Sequence, residues 1–223
     1  HGEFAYLGSV NTNKRGIDIG NSARGSISSS TVRHGLDGIF LNGSSNNSFT
    51  DNVLYLNWDY GIWLSGASNS FRGNAIAKSY YAVMLRGDSN TFLGNHFYSS
   101  TDAGLLVFGS PNNSIVTDNS AFSNAGAGIH LQNSGTGNLL TGNRAYSNGS
   151  YGFRLQNSHS NTLSAGNRAH SNSSHALYFE QSNLNTLRQS TMSAAGTNVY
   201  GVFVDRSSSN TIVDSYIQGS SAA

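Results

Sequence analysis

Apolar residues recur along this chain in short bursts with a fixed spelling. From Gly38 the text runs Gly38-Ile39-Phe40-Leu41, a polar turn, Asn47-Ser48-Phe49, then Asn52 and a second polar turn. It restarts at Gly61-Ile62-Trp63-Leu64, Asn69-Ser70-Phe71, Asn74, and again at Ala82, Gly104, Gly128, Gly152, Ala176 and Gly201, with a weaker copy from Gly16. The steps are 22, 23, 21, 22, 24, 24, 24 and 25 residues. A period in this range belongs to stacked units, each covering its neighbour's open face. Within the phrase from Gly61, Ile62 and Leu64 alternate with Trp63 and Ser65, the two-residue period of a half-buried strand. Ser70-Phe71-Arg72 and Ala75-Ile76-Ala77 predict two more short strands, with Phe71 and Ile76 inward. No helical periodicity of useful length interrupts them.

Strands that recur once per coil stack in parallel on their own copies, about 4.8 Å apart. The predicted inward columns are Ile17, Ile39, Ile62, Val83, Leu105, Ile129, Phe153, Leu177 and Val202; Phe49, Phe71, Phe92, Ile115, Leu140, Leu163, Leu187 and Ile212; and Leu54, Ile76, Phe97, Ala121, Ala145, Ala169, Met192 and Ile217. Asparagine forms columns too: Asn47, Asn69, Asn90, Asn113, Asn138, Asn161, Asn185 and Asn210, then Asn52 through Asn167, then Asn57, Asn124, Asn148 and Asn172. Asn accepts the left-handed backbone of a tight corner, and its amide can bond to its own copy one coil away. The expectation is an all-β, single-chain parallel β-helix of about nine coils over residues 14–223. Residues 1–13 form a separate N-terminal segment, in which His1-Gly2-Glu3-Phe4 reads as a tag or cloning remnant and the rest as a possible cap.

Composition agrees with a many-cornered coil: Gly, Ser and Asn number 26, 38 and 28. The net charge is +1 and only 10% of residues are charged, so no global field attracts nucleic acid or an anionic membrane. No apolar run is long enough to insert into a membrane. Without cysteine there is neither a disulfide framework nor a thiolate metal site. No metal or other cofactor is expected.

The phrase Asn143-Arg144-Ala145-Tyr146-Ser147-Asn148, followed by Gly152-Phe153-Arg154-Leu155, resembles the repeats of NosD-type right-handed parallel β-helices of the pectin-lyase-like superfamily. The resemblance covers roughly residues 14–218. It implies the right-handed coil and a repeat shared with carbohydrate-binding proteins and sugar hydrolases. It also implies a secreted, periplasmic or cell-surface setting. The copper handling that the NosD name suggests finds no Met/His/Cys cluster in this chain. The Asp-Pro-His motif of alginate epimerases in the superfamily is absent, as is an acidic cluster suited to the calcium of pectate lyases.

Function then falls to the outward columns of the Gly-Ile-x-Leu strand. One reads Asp18, Phe40, Trp63, Met84, Leu106, His130, Arg154, Tyr178, Phe203. The next reads Gly20, Asn42, Ser65, Arg86, Phe108, Gln132, Gln156, Glu180, Asp205. Coils two to five are expected to expose an aromatic stripe of Phe40, Tyr60, Trp63, Tyr81, Met84, Leu106 and Phe108, edged by Arg86 and Asp59. Such a stripe is either a platform for sugar rings or a face covered by a partner copy or by Phe4-Ala5-Tyr6-Leu7. Coils six to nine gather His130, Gln132, Arg154, Gln156, His175, Tyr178, Glu180 and Asp205. There an imidazole, a fixed cation and carboxylates are the material of acid–base chemistry, with His130, Arg154, Glu180 and Asp205 as catalytic candidates. Coil lengths vary by only four residues, so no loop walls a cleft. A shallow face suits an extended polymer. The leading expectation is an extracellular polysaccharide-binding module. A self-assembling solenoid, joined through the aromatic face or the open coil ends, and a glycan-modifying hydrolase, lyase or epimerase are the alternatives.

Overall fold

A computed structural model of the protein describes residues 2–5 and 15–220. The expectations placed on His1, Tyr6, Leu7 and residues 221–223 lie outside those residues. The described chain is a parallel β-helix with three sheets and no helix. The front sheet stacks nine strands, from Ile17–Gly20 through Tyr60–Leu64 and Ile129–Gln132 to Val202–Asp205. A nine-stranded side sheet runs from Ser26–Ser28 to Thr211–Val213. The ten-stranded back sheet runs from Glu3–Ala5 to Tyr216–Gln218. Every strand pairs with its copy one coil away, in register: Ile39 opposite Ile62, Phe49 opposite Phe71, Leu54 opposite Ile76.

The interior is three apolar columns stacked to contact. Phe49, Phe71 and Phe92 lie ring on ring with centroids 4.8 Å apart. One predicted column needs correction at a single coil. Val116, not Ile115, pairs with Phe92 and Leu140 and fills the core at 1% exposure, while Ile115 is 44% exposed. The same one-residue shift places Ser114 in the asparagine ladder instead of Asn113. The Asn90 N–H donates to Ser114 Oγ (3.3 Å), and the Ser114 N–H donates to Asn138 Oδ1 (3.0 Å).

An asparagine in the middle of a ladder ties three coils together. Asn74 Nδ2 donates to the Phe49 carbonyl of the coil before (3.0 Å) and to Asn95 Oδ1 of the coil after (2.9 Å), while its own Oδ1 accepts the Asn52 N–H (3.0 Å). The corner backbone is thereby satisfied without water. The ladder asparagines do not take the left-handed conformation expected of them. The residue before the asparagine does: Asp51, Asn46, Leu56, Ser68, Ser89, Asp118 and Ser147 all have φ between 53° and 59°. A further ladder, not anticipated, is made of serine at the corner after the front sheet. The Ser134, Ser158 and Ser182 N–H groups donate to Ser158, Ser182 and Ser207 Oγ at 3.0, 3.0 and 2.8 Å.

Glu3–Ala5 pairs with Thr31–Arg33 and so begins the back sheet, which places Phe4 and Ala5 away from the front face that they were one of the candidates to cover. At the other end the last coil leaves Ile212 and Ile217 partly open to solvent.

The corrected register has a direct test. Val116→Ala should cost about 2–3 kcal/mol in urea unfolding, whereas Ile115→Ala should change stability by less than about 0.5 kcal/mol. Equal effects would restore the original register.

Candidate active site on the front sheet

Just before each front strand stands one residue whose carbonyl accepts the N–H that opens the strand of the preceding coil. Down the stack this column reads Tyr60, Tyr81, Ala103, Ala127, Tyr151, His175, Tyr200. Tyr60 stacks on Tyr81 at 6.0 Å, and Tyr151, His175 and Tyr200 follow one another at 5.8 and 5.2 Å. The two alanines break the series. They open a notch of about 350 Å³ between Tyr81 and Tyr151, with Asp102 on its rim and His130, Gln132, Arg154 and Gln156 on its floor. The alanines were the readable signal in the sequence, but Ala103, Ala127 and Asp102 were not singled out there.

The floor is set by register. His130 sits opposite Leu106 and Arg154, and Gln132 opposite Gln156. Its neighbours bury His130 to 9% exposure. Burial, then the Arg154 guanidinium, push its pKa down to about 4, against a weaker opposing contact with Gln156. The imidazole is therefore neutral near pH 7. His130 Nε2, Arg154 Nε and Gln156 Oε1 are buried and have no hydrogen-bond partner. Three buried polar atoms without partners on the residues of one notch are uncommon in a folded protein.

Arg154 is held rather than free. Its guanidinium lies 5.4 Å from the Tyr151 ring and 5.9 Å from the Tyr178 ring, and Nη2 pairs with Glu180 Oε2 at 2.6 Å. Arg206 extends the network, reaching Glu180 at 3.7 Å and Asp205 at 3.0 Å, and the Tyr178 hydroxyl donates to Asp205 (3.3 Å). Glu180 and Asp205 are thus both engaged by guanidinium groups. On the upper wall, burial and then the Asp102 carboxylate raise the Tyr81 pKa, so its hydroxyl keeps its proton.

The aromatic half of the face is less open than expected. Phe40 is only 8% exposed because Trp63 stacks on one side at 4.2 Å and the Arg15 guanidinium lies 3.4 Å from its centroid. Leu106 is buried between its column neighbours Met84 and His130. Tyr178 is covered by Tyr151 and Phe203. Outward side chains spaced one coil apart shield one another, which a single-strand alternation cannot show. Tyr60, Trp63, Tyr81 and Phe108 remain half-buried, and Arg86 is exposed 5.4 Å from the Phe108 ring. Arg15 also reaches buried Asp37 at 3.2 Å. Burial lifts the Asp37 carboxyl from 3.8 to about 6 despite the Tyr60 N–H and Arg15, and Asp59 adds to the rise. On the back sheet the sequence reading missed a ring stack, Tyr98, Phe122, Tyr146 and His170, at 5.1, 5.1 and 5.3 Å.

Among the described residues no three His, Asp or Glu side chains gather as a metal site, and no helix is long and apolar enough to cross a membrane. The sequence profile of the right-handed β-helix region matches residues 9–140 and 61–223. No curated protein sequence matches the chain. Solved structures do. The periplasmic alginate epimerase AlgG superposes with a TM-score of 0.78 at 19% identity, over 96% of this chain and 58% of the other. The A-module of the Azotobacter vinelandii mannuronan C-5 epimerase AlgE6 gives 0.68 at 15% identity, over 90% and 59%. The pectate lyase Pel9A gives 0.57 at 15%, over 100% and 79%. At these identities the likeness is one of fold, and the chain spans little more than half the length of the epimerases.

Two buried groups have opposite acid responses. The folded pKa of His130 is below its unfolded value, so its contribution is lost as pH falls from about 6.5 to about 4. The folded pKa of Asp37 is raised, so its contribution is lost as pH rises from about 4 to about 6. Relative to the parent protein, His130→Asn should gain melting temperature as pH falls through that window. Asp37→Asn should gain as pH rises. Thermal scans from pH 4 to 7 that show parallel curves would refute both assignments.

Proposed function

Because the chain belongs to the right-handed β-helix family, a fold it shares with an alginate epimerase, a mannuronan epimerase and a pectate lyase, we propose that its front sheet binds an extended uronate-containing polysaccharide. The observation that carries this reading is the notch between Tyr81 and Tyr151, with neutral His130 and clamped Arg154 on its floor. Aromatic walls suit the apolar faces of sugar rings. A fixed guanidinium suits a carboxylate. The amides of Gln132 and Gln156, which line the same notch, are of the kind that suits ring hydroxyls, able to donate and to accept. Beyond the notch the face continues as Trp63 and Tyr60 on one side and Tyr178 and Asp205 on the other. A polymer lying along the stack would meet it coil by coil. A secreted or periplasmic setting, where such polymers occur, fits this role.

His130 also supports a second reading, modification of the bound glycan. A neutral imidazole next to a cation can take the proton from a sugar carbon beside a carboxylate that Arg154 neutralises, the C–H electrons passing into that carboxylate; the Tyr81 hydroxyl can return a proton to the opposite face of the carbon, and proton exchange with water resets both groups. Glu180 then acts as a positioning residue for Arg154. No Asp-Pro-His triplet assists here, so this chemistry would rest on His130 with Tyr81 and Asp102.

Calorimetric titration with mannuronan and with pectate, alongside light scattering, tests the first reading. Arg154→Ala should weaken binding at least tenfold, roughly the effect of removing a central charged anchor, and added salt should weaken the parent in the same direction. A parent protein that binds neither polymer would sink the proposal. The second reading requires that polymer incubated with the parent change its NMR spectrum and that His130→Asn abolish the change while still binding.

A further inference from the structure

The corner that leads from the back sheet to the front sheet is small in most coils, as in Ser123-Asn124-Ala125-Gly126 and Ser147-Asn148-Gly149-Ser150. In the second and third coils it is not. There it reads Leu56-Asn57-Trp58-Asp59 and Lys78-Ser79-Tyr80, and the surface holds a groove of about 650 Å³ lined by Leu36, Leu56, Trp58, Lys78, Tyr80 and Thr101. Trp58 is 71% exposed, more than any other large apolar side chain among the described residues. A ring left so open in a groove of ligand size marks a contact surface.

The backbone under the groove is bonded coil to coil, and the groove adjoins the notch. The Trp58 N–H donates to the Gly35 carbonyl (2.9 Å), and the Tyr80 carbonyl accepts the Asp102 N–H (2.8 Å). The Tyr80 ring stands edge-on to Tyr81 at 4.8 Å and 87°. Tyr81 is the upper wall of the notch, so the Tyr80–Tyr81 pair forms a ridge with one concavity on each side.

We propose that this corner groove is a second carbohydrate subsite, which takes a pyranose unit of the same polysaccharide chain that the front notch holds. The indole of Trp58 stacks on the apolar face of the sugar. Lys78 and Thr101 reach its hydroxyl or carboxylate edge. A sugar fits better than a peptide strand, because the corner N–H and carbonyl groups needed for strand addition are already bonded coil to coil. It fits better than a flat second copy because the floor is concave and polar groups are set among the rings. The inference rests on the reading of the notch, since the chain reaches the groove over the Tyr80–Tyr81 ridge.

The probes are mannuronan, pectate and their trisaccharides, titrated into the full chain. Trp58→Ala should weaken polymer binding about tenfold and leave the trisaccharides, which occupy the notch alone, unchanged. Trp58→Phe should restore most of the affinity, which separates ring stacking from misfolding. In a Trp63→Phe background Trp58 is the one remaining indole, and its emission should shift on addition of polymer but not of trisaccharide. Polymer binding by Trp58→Ala equal to that of the parent overturns the subsite while the notch stands. The same holds if light scattering shows that Trp58→Ala dissociates a dimer with glycan affinity unchanged. Loss of all binding in the parent overturns the notch and the subsite together.

Discussion

The structure depends on one repeated hydrogen bond, from a corner N–H to a side-chain oxygen one coil further on. Asn52 to Asn74, Asn95 to Asn119 and Asn119 to Asn143 make it at 3.0, 2.8 and 3.0 Å, all fully buried. Each such amide also donates to the coil before and the coil after, so a corner cannot move without breaking contacts in both directions. A buried N–H left unpaired costs roughly 1–3 kcal/mol, and the described chain has about three such corners per coil. Coil length is therefore held within narrow limits, and extra residues enter only where the ladder tolerates them.

That limit decides where chemistry can sit. A β-helix under strict corner registry cannot easily grow the long loops that wall an ordinary cleft. Concavity must come instead from what the columns omit. Replacing the tyrosine ring by Ala103 and Ala127 removes two stacked rings, and the space they leave lies over His130 and Arg154. The corner groove arises in the opposite way, where Trp58 and Tyr80 stand in place of the small residues of later coils. Both devices change side chains and leave the backbone coil intact.

The columns were legible in the sequence because period and alternation are imposed by stacking itself. The departures occur where a coil changes length. Between Asn90 and Ser114 the step is 24 residues instead of 21 or 22, and Asn112-Asn113-Ser114 offers several polar residues for one ladder position. Choosing Asn113 turned Ile115 inward, because a slip of one residue exchanges the two faces of a strand. Exposure of the outward columns was misjudged for a different reason. Alternation says which way Phe40, Leu106 and His130 point. It does not show that Arg15, Trp63, Met84 and Arg154, 21 to 25 residues away, cover them.

Mutual shielding also explains why the polar half of the front face has the composition it has. Rings repeat well at one-coil spacing, as Phe40 on Trp63 and Tyr178 on Phe203 show at 4.2 and 5.2 Å. Like charges do not, unless water screens them, as it does for exposed Arg144 and Arg168 on the back sheet. In the shielded front column Arg154 stands between His130, which burial keeps neutral, and Tyr178, which is uncharged. Its countercharge, Glu180, comes from the next column at 2.6 Å. A second cation beside it in that column would have to be desolvated without a partner. The polar half of that column therefore has room for one fixed, half-buried positive charge, and the notch opens beside it.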